Sequence, residues 1–284
     1  MRLRFRAFAL LILVPMATGV AHGQEKVRIG IVPSLLVELS IGQQKFIGEE
    51  FPLLVKDFTG LPGQLEKLGS PKELADRLHA GTAQFGVFQG IEFAETQAKS
   101  PDLQPLLLSV YRTPVIKALL IAKKDAAYKS FADLRGKDVA VLKAGKEHIR
   151  RFAQKEAGGD PATFFSKVIV PANSEAALDA VLLGKAEAAI VDNASFDIYR
   201  EVNPGRFQRL KVVDESAAFP PTVIAYDPKK TDADIVKRFQ NGMIKANETA
   251  KGREVMSTFK ITSFTPVPTG FDKSLAEIRK AYPE

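Results

Sequence analysis

Ser70-Pro-Lys-Glu-Leu-Ala-Asp-Arg-Leu-His-Ala-Gly-Thr-Ala-Gln-Phe-Gly-Val-Phe-Gln-Gly90 returns, 103 residues later, as Asn173-Ser-Glu-Ala-Ala-Leu-Asp-Ala-Val-Leu-Leu-Gly-Lys-Ala-Glu-Ala-Ala-Ile-Val-Asp-Asn193. Both stretches open on a helix N-cap residue, Ser70 or Asn173. In the first, Pro71 suits position N1 and Glu73 is placed to close a capping box. Apolar residues then recur at helical spacing: Leu74 and Leu78 in one, Leu178, Val181 and Leu182 in the other. Each helix ends on a glycine (Gly81, Gly184), where a left-handed C′ residue is wanted. An alanine follows two residues on (Ala83, Ala186), and then a short buried strand: Gln84 to Phe88, and Ala188 to Val191. The strands run out into polar residues, Gln89 in one case and Asp192-Asn193 in the other. Each unit therefore predicts a helix feeding a parallel strand whose carboxyl end presents hydrogen-bonding groups, which is where open α/β sheets hold ligands.

An opening strand precedes each unit. Val27 to Val32 leads into Pro33-Ser34-Leu35, and Asp138 to Leu142 leads into Lys143-Ala144-Gly145-Lys146. Helices are expected after them, over Leu39 to Phe58 and Glu147 to Glu156. Phe131 to Gly136 reads as one helical turn. Strands over Leu106–Val110 and Val115–Ala122, interrupted at Tyr111-Arg112-Thr113-Pro114, mark a first crossing between two lobes. A second falls near Phe219-Pro220-Pro221-Thr222, before a strand from Val223 to Tyr226. Helices then return over Asp232–Thr249 with Thr231 as cap, Arg253–Phe259 and Lys273–Ala281. The expected fold is α/β with two lobes, each a mixed, mostly parallel sheet flanked by helices, joined by two crossover strands. Lobe I takes residues 24–112 and 221–284, and lobe II takes 113–220.

Residues 1–23 carry Arg2, Arg4 and Arg6, an apolar run from Ala7 to Val14, and a small-residue end at Ala21-His22-Gly23. That pattern is an export signal, cleaved before about Gln24, and its apolar run is too short to span a bilayer. With no cysteine in the chain, no lipid anchor and no disulfides are expected. The whole chain carries a net charge of +7; without the three leader arginines, 37 basic residues face 33 acidic ones. This mild cationic bias suits a small anionic ligand. It lacks the basic runs with interleaved aromatics that nucleic acid requires. His79 and His148 are the only histidines after the leader, so neither a metal nor a cofactor is expected. Glycine-flanked serine elbows, zinc-protease helices and phosphate-binding loops are absent from the sequence, and an enzyme is not expected.

Candidate ligand contacts follow from position. Asp192 and Asn193 end the second repeat strand; Gln89 and Glu92 follow the first; Ser34 follows the opening strand. Lys143, Lys146 and His148 surround a helix start suited to an anion. Arg112 sits at the first crossing, and its guanidinium would grip a carboxylate or phosphonate with two hydrogen bonds. Asn173 combines a capping role with a place at the cleft. Each has a plainer reading. Lys143 and Lys146 fit a solvated surface, Arg112 a hinge ion pair, Glu92 the acid of a helix first turn, Asp192 and Asn173 simple N-caps.

Phe131-Ala-Asp-Leu-Arg-Gly-Lys-Asp-Val-Ala-Val141, Leu183-Gly-Lys-Ala-Glu-Ala-Ala-Ile-Val-Asp-Asn193 and Ala80-Gly-Thr-Ala-Gln-Phe-Gly86 resemble segments of extracytoplasmic solute-binding proteins. The nearest likeness is to phosphate- and phosphonate-binding proteins of ABC importers, over most of the chain after the leader. The resemblance implies the type II periplasmic binding fold, a monomer in the periplasm, a small ligand and a membrane permease as partner. The chain departs from that family at the ligand. Gln89-Gly90-Ile91-Glu92-Phe93 stands where the family tends to have Gly-Pro-x-x-Tyr, and Phe93 lacks the tyrosine hydroxyl. Lys143 to His148 replaces a Ser/Thr-rich anion loop. A sulfonate, a carboxylate or a pyrimidine therefore stays open as ligand beside a phosphonate, as does a role as a ligand-presenting sensor.

Overall fold

The computed structural model describes residues 26–111, 114–142 and 146–283. The first segment runs β1 (Val27–Ile31), α1 (Ile41–Thr59), β2 (Gly63–Lys67), α2 (Pro71–His79), β3 (Phe85–Phe88), α3 (Gly90–Lys99) and β4 (Gln104–Val110). After a crossing come β5 (Ala118–Lys123), β6 (Asp138–Val141), α4 (Glu147–Ala157), α5 (Pro161–Phe164), β7 (Lys167–Ile169) and α6 (Ser174–Leu182). That segment closes with β8 (Ala188–Asp192), α7 (Asn193–Val202), α8 (Pro204–Phe207) and β9 (Leu210–Glu215). A second crossing leads to β10 (Thr222–Tyr226), α9 (Ala233–Ile244), α10 (Ala250–Thr258), β11 (Ser263–Pro266) and α11 (Phe271–Ala281).

The strands form two sheets. Sheet I is ordered β11-β4-β10-β3-β1-β2 and sheet II β7-β6-β8-β5-β9. Both repeat strands pair in parallel with their opening strands, β3 with β1 and β8 with β6. Each crossing delivers its strand antiparallel to a repeat strand, β10 beside β3 and β5 beside β8. The crossings pair with each other at Ile116 and Phe219. They thus enter the sheets next to Gln89 and Asp192, at the carboxyl ends of β3 and β8. This two-lobed arrangement is the type II periplasmic binding fold.

The repeat holds to the level of single hydrogen bonds. Ser70 and Asn173 Oγ and Oδ1 accept from Glu73 N (3.1 Å) and Ala176 N (2.8 Å). Gly81 and Gly184 take φ of +70° and +71°, donating to Leu78 and Val181. Glu73 departs from expectation: its carboxylate reaches back to Gly69 N (2.7 Å), one residue before the cap. The helix expected over Asp232–Thr249 stops early: α9 ends at Ile244, a short turn over Ala246–Glu248 follows, and α10 starts at Ala250, ahead of the expected Arg253. Asp232, not Thr231, caps α9, and Thr249 caps α10 by accepting from Gly252 N. Gly252 lets the first turn of α10 pack against the chain before it: a Cβ there would lie 1.7 Å from the Ala246 carbonyl oxygen.

Helices α1, α9 and α10 cover one face of sheet I, with Phe85 stacked on Phe239 at 4.0 Å. A second apolar cluster continues from Leu108 and Val223 of sheet I through Phe93, Phe219 and Tyr282 to Leu120 and Ile190 of sheet II. The lobes are therefore packed together, not merely tethered.

Candidate functional site

The cleft residues come from the segments that leave the strand ends. Asp192 closes β8 and caps α7, its Oδ1 accepting from Ser195 N at 2.6 Å. Lys146 occupies the cap position of α4 and its ammonium pairs with Asp192 Oδ2. His148, the second residue of α4, brings Nε2 to 3.7 Å from the same oxygen. Lobe I answers with Glu38 and Lys260. Lys260 Nζ pairs with Glu38 Oε2, and Lys146 Nζ lies 3.9 Å from it. Glu38 Oε1 accepts from Ser174 Oγ (2.7 Å), and Lys260 donates to Ser195 Oγ (3.2 Å). Glu38 and Lys260 thus bind lobe I to three groups of lobe II: Lys146, Ser174 and Ser195.

The charges are held firmly. Burial works against the Asp192 carboxylate, but the Lys146 ammonium and the His148 ring overcome it and keep its pKa well below the usual range. Glu38 is also lowered: burial opposes, while Lys146 and Lys260 prevail. Lys146 is raised, because Asp192 and Glu38 outweigh its desolvation. Burial pushes the His148 pKa below 6.5, so its ring is neutral at pH 7. Two ammonium groups therefore face two carboxylates and a neutral imidazole.

Lys260 adopts φ of +56°, the one described non-glycine residue in the left-handed region. Such a backbone costs about 1–2 kcal/mol for an ordinary side chain. Strain of that kind collects at functional sites, and here it aims an ammonium at the lobe junction.

Gln89 caps α3 at the facing side. Its Oε1 accepts from Glu147 N of α4 (2.9 Å), fixing the amide's orientation, and its Nε2 is buried without a partner. His148 Nε2 and Ser34 Oγ are likewise buried and unpartnered. Glu92 closes a capping box on Gln89 N (3.2 Å), and burial lifts its pKa to about 7. The Ser34 hydroxyl stands close to that carboxyl without reaching hydrogen-bond geometry. Gly90 is required: a Cβ there would meet the Pro220 carbonyl oxygen at 2.1 Å, because the second crossing passes directly over the α3 N-terminus.

A cavity of about 120 Å³ opens beside these groups. Gln89, Lys146, His148, Asp192 and Lys260 form its polar wall, and most of its remaining lining is apolar. Of the residues expected from sequence, Gln89, Lys146, His148 and Asp192 converge here. Glu92 and Ser34 lie behind Gln89. Asn173 caps α6 at the outer mouth, beside Glu38 and Lys260. Asn193 turns to the first crossing, accepting from Lys117 N (3.0 Å) and donating to the Val115 carbonyl. Arg112 and Lys143 lie outside the described residues. Glu38 and Lys260 carried no sequence signal: one sits in a loop, the other after a helix with no glycine to mark its turn. Among the described residues no group of three His, Cys, Asp or Glu side chains is placed to hold a metal.

Residues 54–269 match the family model for the phosphonate ABC transporter periplasmic substrate-binding protein. The chain belongs to that family. Its members are periplasmic proteins that bind a small molecule and work with an ABC permease. No curated relative matches the sequence. Solved structures share the fold at low identity. A binding protein component of an ABC phosphonate transporter from Pseudomonas aeruginosa is 16% identical, with a TM-score of 0.62 over 91% of this chain and 85% of that one. PhnD1 of Prochlorococcus marinus, solved with methylphosphonate, is 10% identical, with a TM-score of 0.65 over 90% and 97%. The aliphatic sulphonate binding protein SsuA of Escherichia coli is 16% identical, with a TM-score of 0.52 over 90% and 87%.

Proposed function

We propose that this member of the phosphonate-binding family closes lobe I (24–112 and 221–284) and lobe II (113–220) on a small organic anion and hands it unchanged to its permease. The observation that carries the reading is the buried lobe junction, where Lys146 and Lys260 meet across the cleft beside two buried ring or amide nitrogens without a hydrogen-bond partner, Gln89 Nε2 and His148 Nε2. Phosphonate, sulfonate and carboxylate oxygens all accept from such donors, and ammonium donors give the stronger, charge-assisted bonds. Glu38 stands in for the ligand: its carboxylate bridges both ammonium groups. The incoming head takes that place, Glu38 keeps Ser174, and the net charge between the lobes changes by one head group. Asp192 stays, because it caps α7.

The reading includes a monomer freed from a cleaved leader without a lipid anchor, no nucleic-acid binding and no catalysis. PhnD1 with methylphosphonate and the sulphonate-binding SsuA support an oxyanion ligand by analogy of fold. The test is a thermal-shift panel of phosphate, alkyl- and arylphosphonates, sulfonates and carboxylates. At 100 times its Kd, a true ligand adds about 2.7 kcal/mol of stability, and Lys146→Met removes that gain. A panel in which no anion moves the melting temperature contradicts the reading.

A further inference from the structure

The apolar part of the cavity is not an accident of the cleft. Its register shows where it lies. Ile31 of β1 pairs with Val87 of β3, and Val87 with Ile224 of β10, so the three share one face of sheet I. Leu65 pairs with Ile29, two residues from Ile31, and shares that face. Phe264 of β11 joins it through Ser109 and Leu107 of β4. All five of Ile31, Leu65, Val87, Ile224 and Phe264 line the cavity. Across from them stand Phe51 of α1 and, at the end of α10, Phe259 and Ile261. The cavity therefore runs from the ammonium groups at the lobe junction into the body of lobe I, between its sheet and its helices.

Protein interiors seldom keep voids larger than a water molecule. Away from the charged end, the cavity of about 120 Å³ is walled mainly by aliphatic and aromatic side chains, with the hydroxyls of Ser109 and Thr222 on the same sheet face, and that part offers water few hydrogen-bond partners. An apolar cavity of roughly 150 Å³ takes a benzene ring. Here one end is charged and the rest is oily, in a single continuous space.

We infer that this space is a tail subsite: the ligand is an organic anion whose head meets Lys146 and Lys260 and whose aryl ring or medium alkyl chain enters lobe I. The inference rests on the proposed anion site and extends it to the ligand's other end. It separates this chain's ligand from inorganic phosphate and methylphosphonate, which have nothing to fill the apolar walls. Lys260 ties the two parts together. It supplies an ammonium to the head, and its neighbours Phe259 and Ile261 supply the tail wall.

The test is calorimetric titration of the purified full chain with phosphate and with methyl-, butyl-, hexyl- and phenylphosphonate, repeated with the matching sulfonates. Affinity is expected to rise about fourfold for each added methylene until the cavity is full. Phenylphosphonate should bind at least about tenfold tighter than methylphosphonate, as a buried ring demands. Val87→Phe fills the cavity and should bring the hexyl-to-methyl affinity ratio close to one. Leu65→Phe gives the same readout if circular dichroism shows the first variant misfolded. Affinities that stay flat or fall with tail length, or a ratio that survives both folded variants, overturn the tail subsite while leaving the anion site standing. If no anion of either head type binds, the anion site itself fails, and the tail subsite with it.

Discussion

Replacing Lys146 by methionine tests the electrostatics of the lobe junction most sharply. Methionine keeps the length and apolar stem of lysine but leaves Asp192 buried without its ammonium. The Asp192 side chain is 2% exposed, so water cannot take the ammonium's place. Removing one partner of a buried pair costs about 3–5 kcal/mol. Two contacts soften the loss. Ser195 N still donates to Asp192 at 2.6 Å, and His148, 3.7 Å away, becomes easier to protonate once the repelling Lys146 charge is gone. A net loss of about 3 kcal/mol at pH 7.5 is expected, or roughly 6–12 °C in Tm at about 2–4 °C per kcal/mol. The sign of the pH dependence follows from the depressed Asp192 pKa. In the native protein its stabilisation is present above the unfolded value near pH 4 and lost as pH falls through the lower folded one. In the variant, the unpaired carboxylate gains by protonation, so the gap to wild type narrows as pH drops from about 7 to about 4. Urea unfolding of both proteins across that range is the assay. A loss below about 1 kcal/mol that does not vary with pH is what a solvated surface pair gives, and would refute the reasoning.

Three further variants probe neighbouring parts. Glu92→Gln should stabilise the protein at pH 8, by up to about 3 kcal/mol, and match wild type near pH 5, because a carboxyl whose pKa is raised to about 7 opposes folding once it ionises; equal stability at both pH values in urea melts would count against a buried Glu92. Lys260→Gly and Lys260→Met both lose the ammonium, but only glycine is at ease at φ of +56°, so the glycine variant should be the more stable by about 1 kcal/mol in denaturant titration. Gly90→Ala should cost about 1–3 kcal/mol and widen the protein in small-angle scattering, since its Cβ pushes the second crossing off the α3 N-terminus; an unchanged scattering profile would contradict that.

Local signals carried the fold. Cap residues, terminal glycines and short buried strands are decided within a dozen residues, and Ser70–Gly81 and Asn173–Gly184 took the same form in space. The break between α9 and α10 was expected but set too late, after Thr249 instead of Ile244, because no glycine or proline directly follows Ile244 to mark the stop. The site was half legible. Asp192, Lys146, His148 and Gln89 stand at strand ends and helix starts, positions that follow from topology. Glu38 and Lys260 are separated by more than 200 residues and meet only when the two segments of lobe I fold together. The apolar wall was hidden for a different reason: Ile31, Val87 and Ile224 read as ordinary core residues, and only their shared face beneath α1 and α10 makes them a cavity.

Native mass spectrometry of the protein released from its own periplasm bears most directly on the claim that Lys146 and Lys260 clamp an anion between the lobes. Wild type is expected to carry a small organic anion, and Lys146→Met, prepared in the same way, to arrive without it. A neutral or cationic cargo, or an anion retained equally by the variant, would contradict the account.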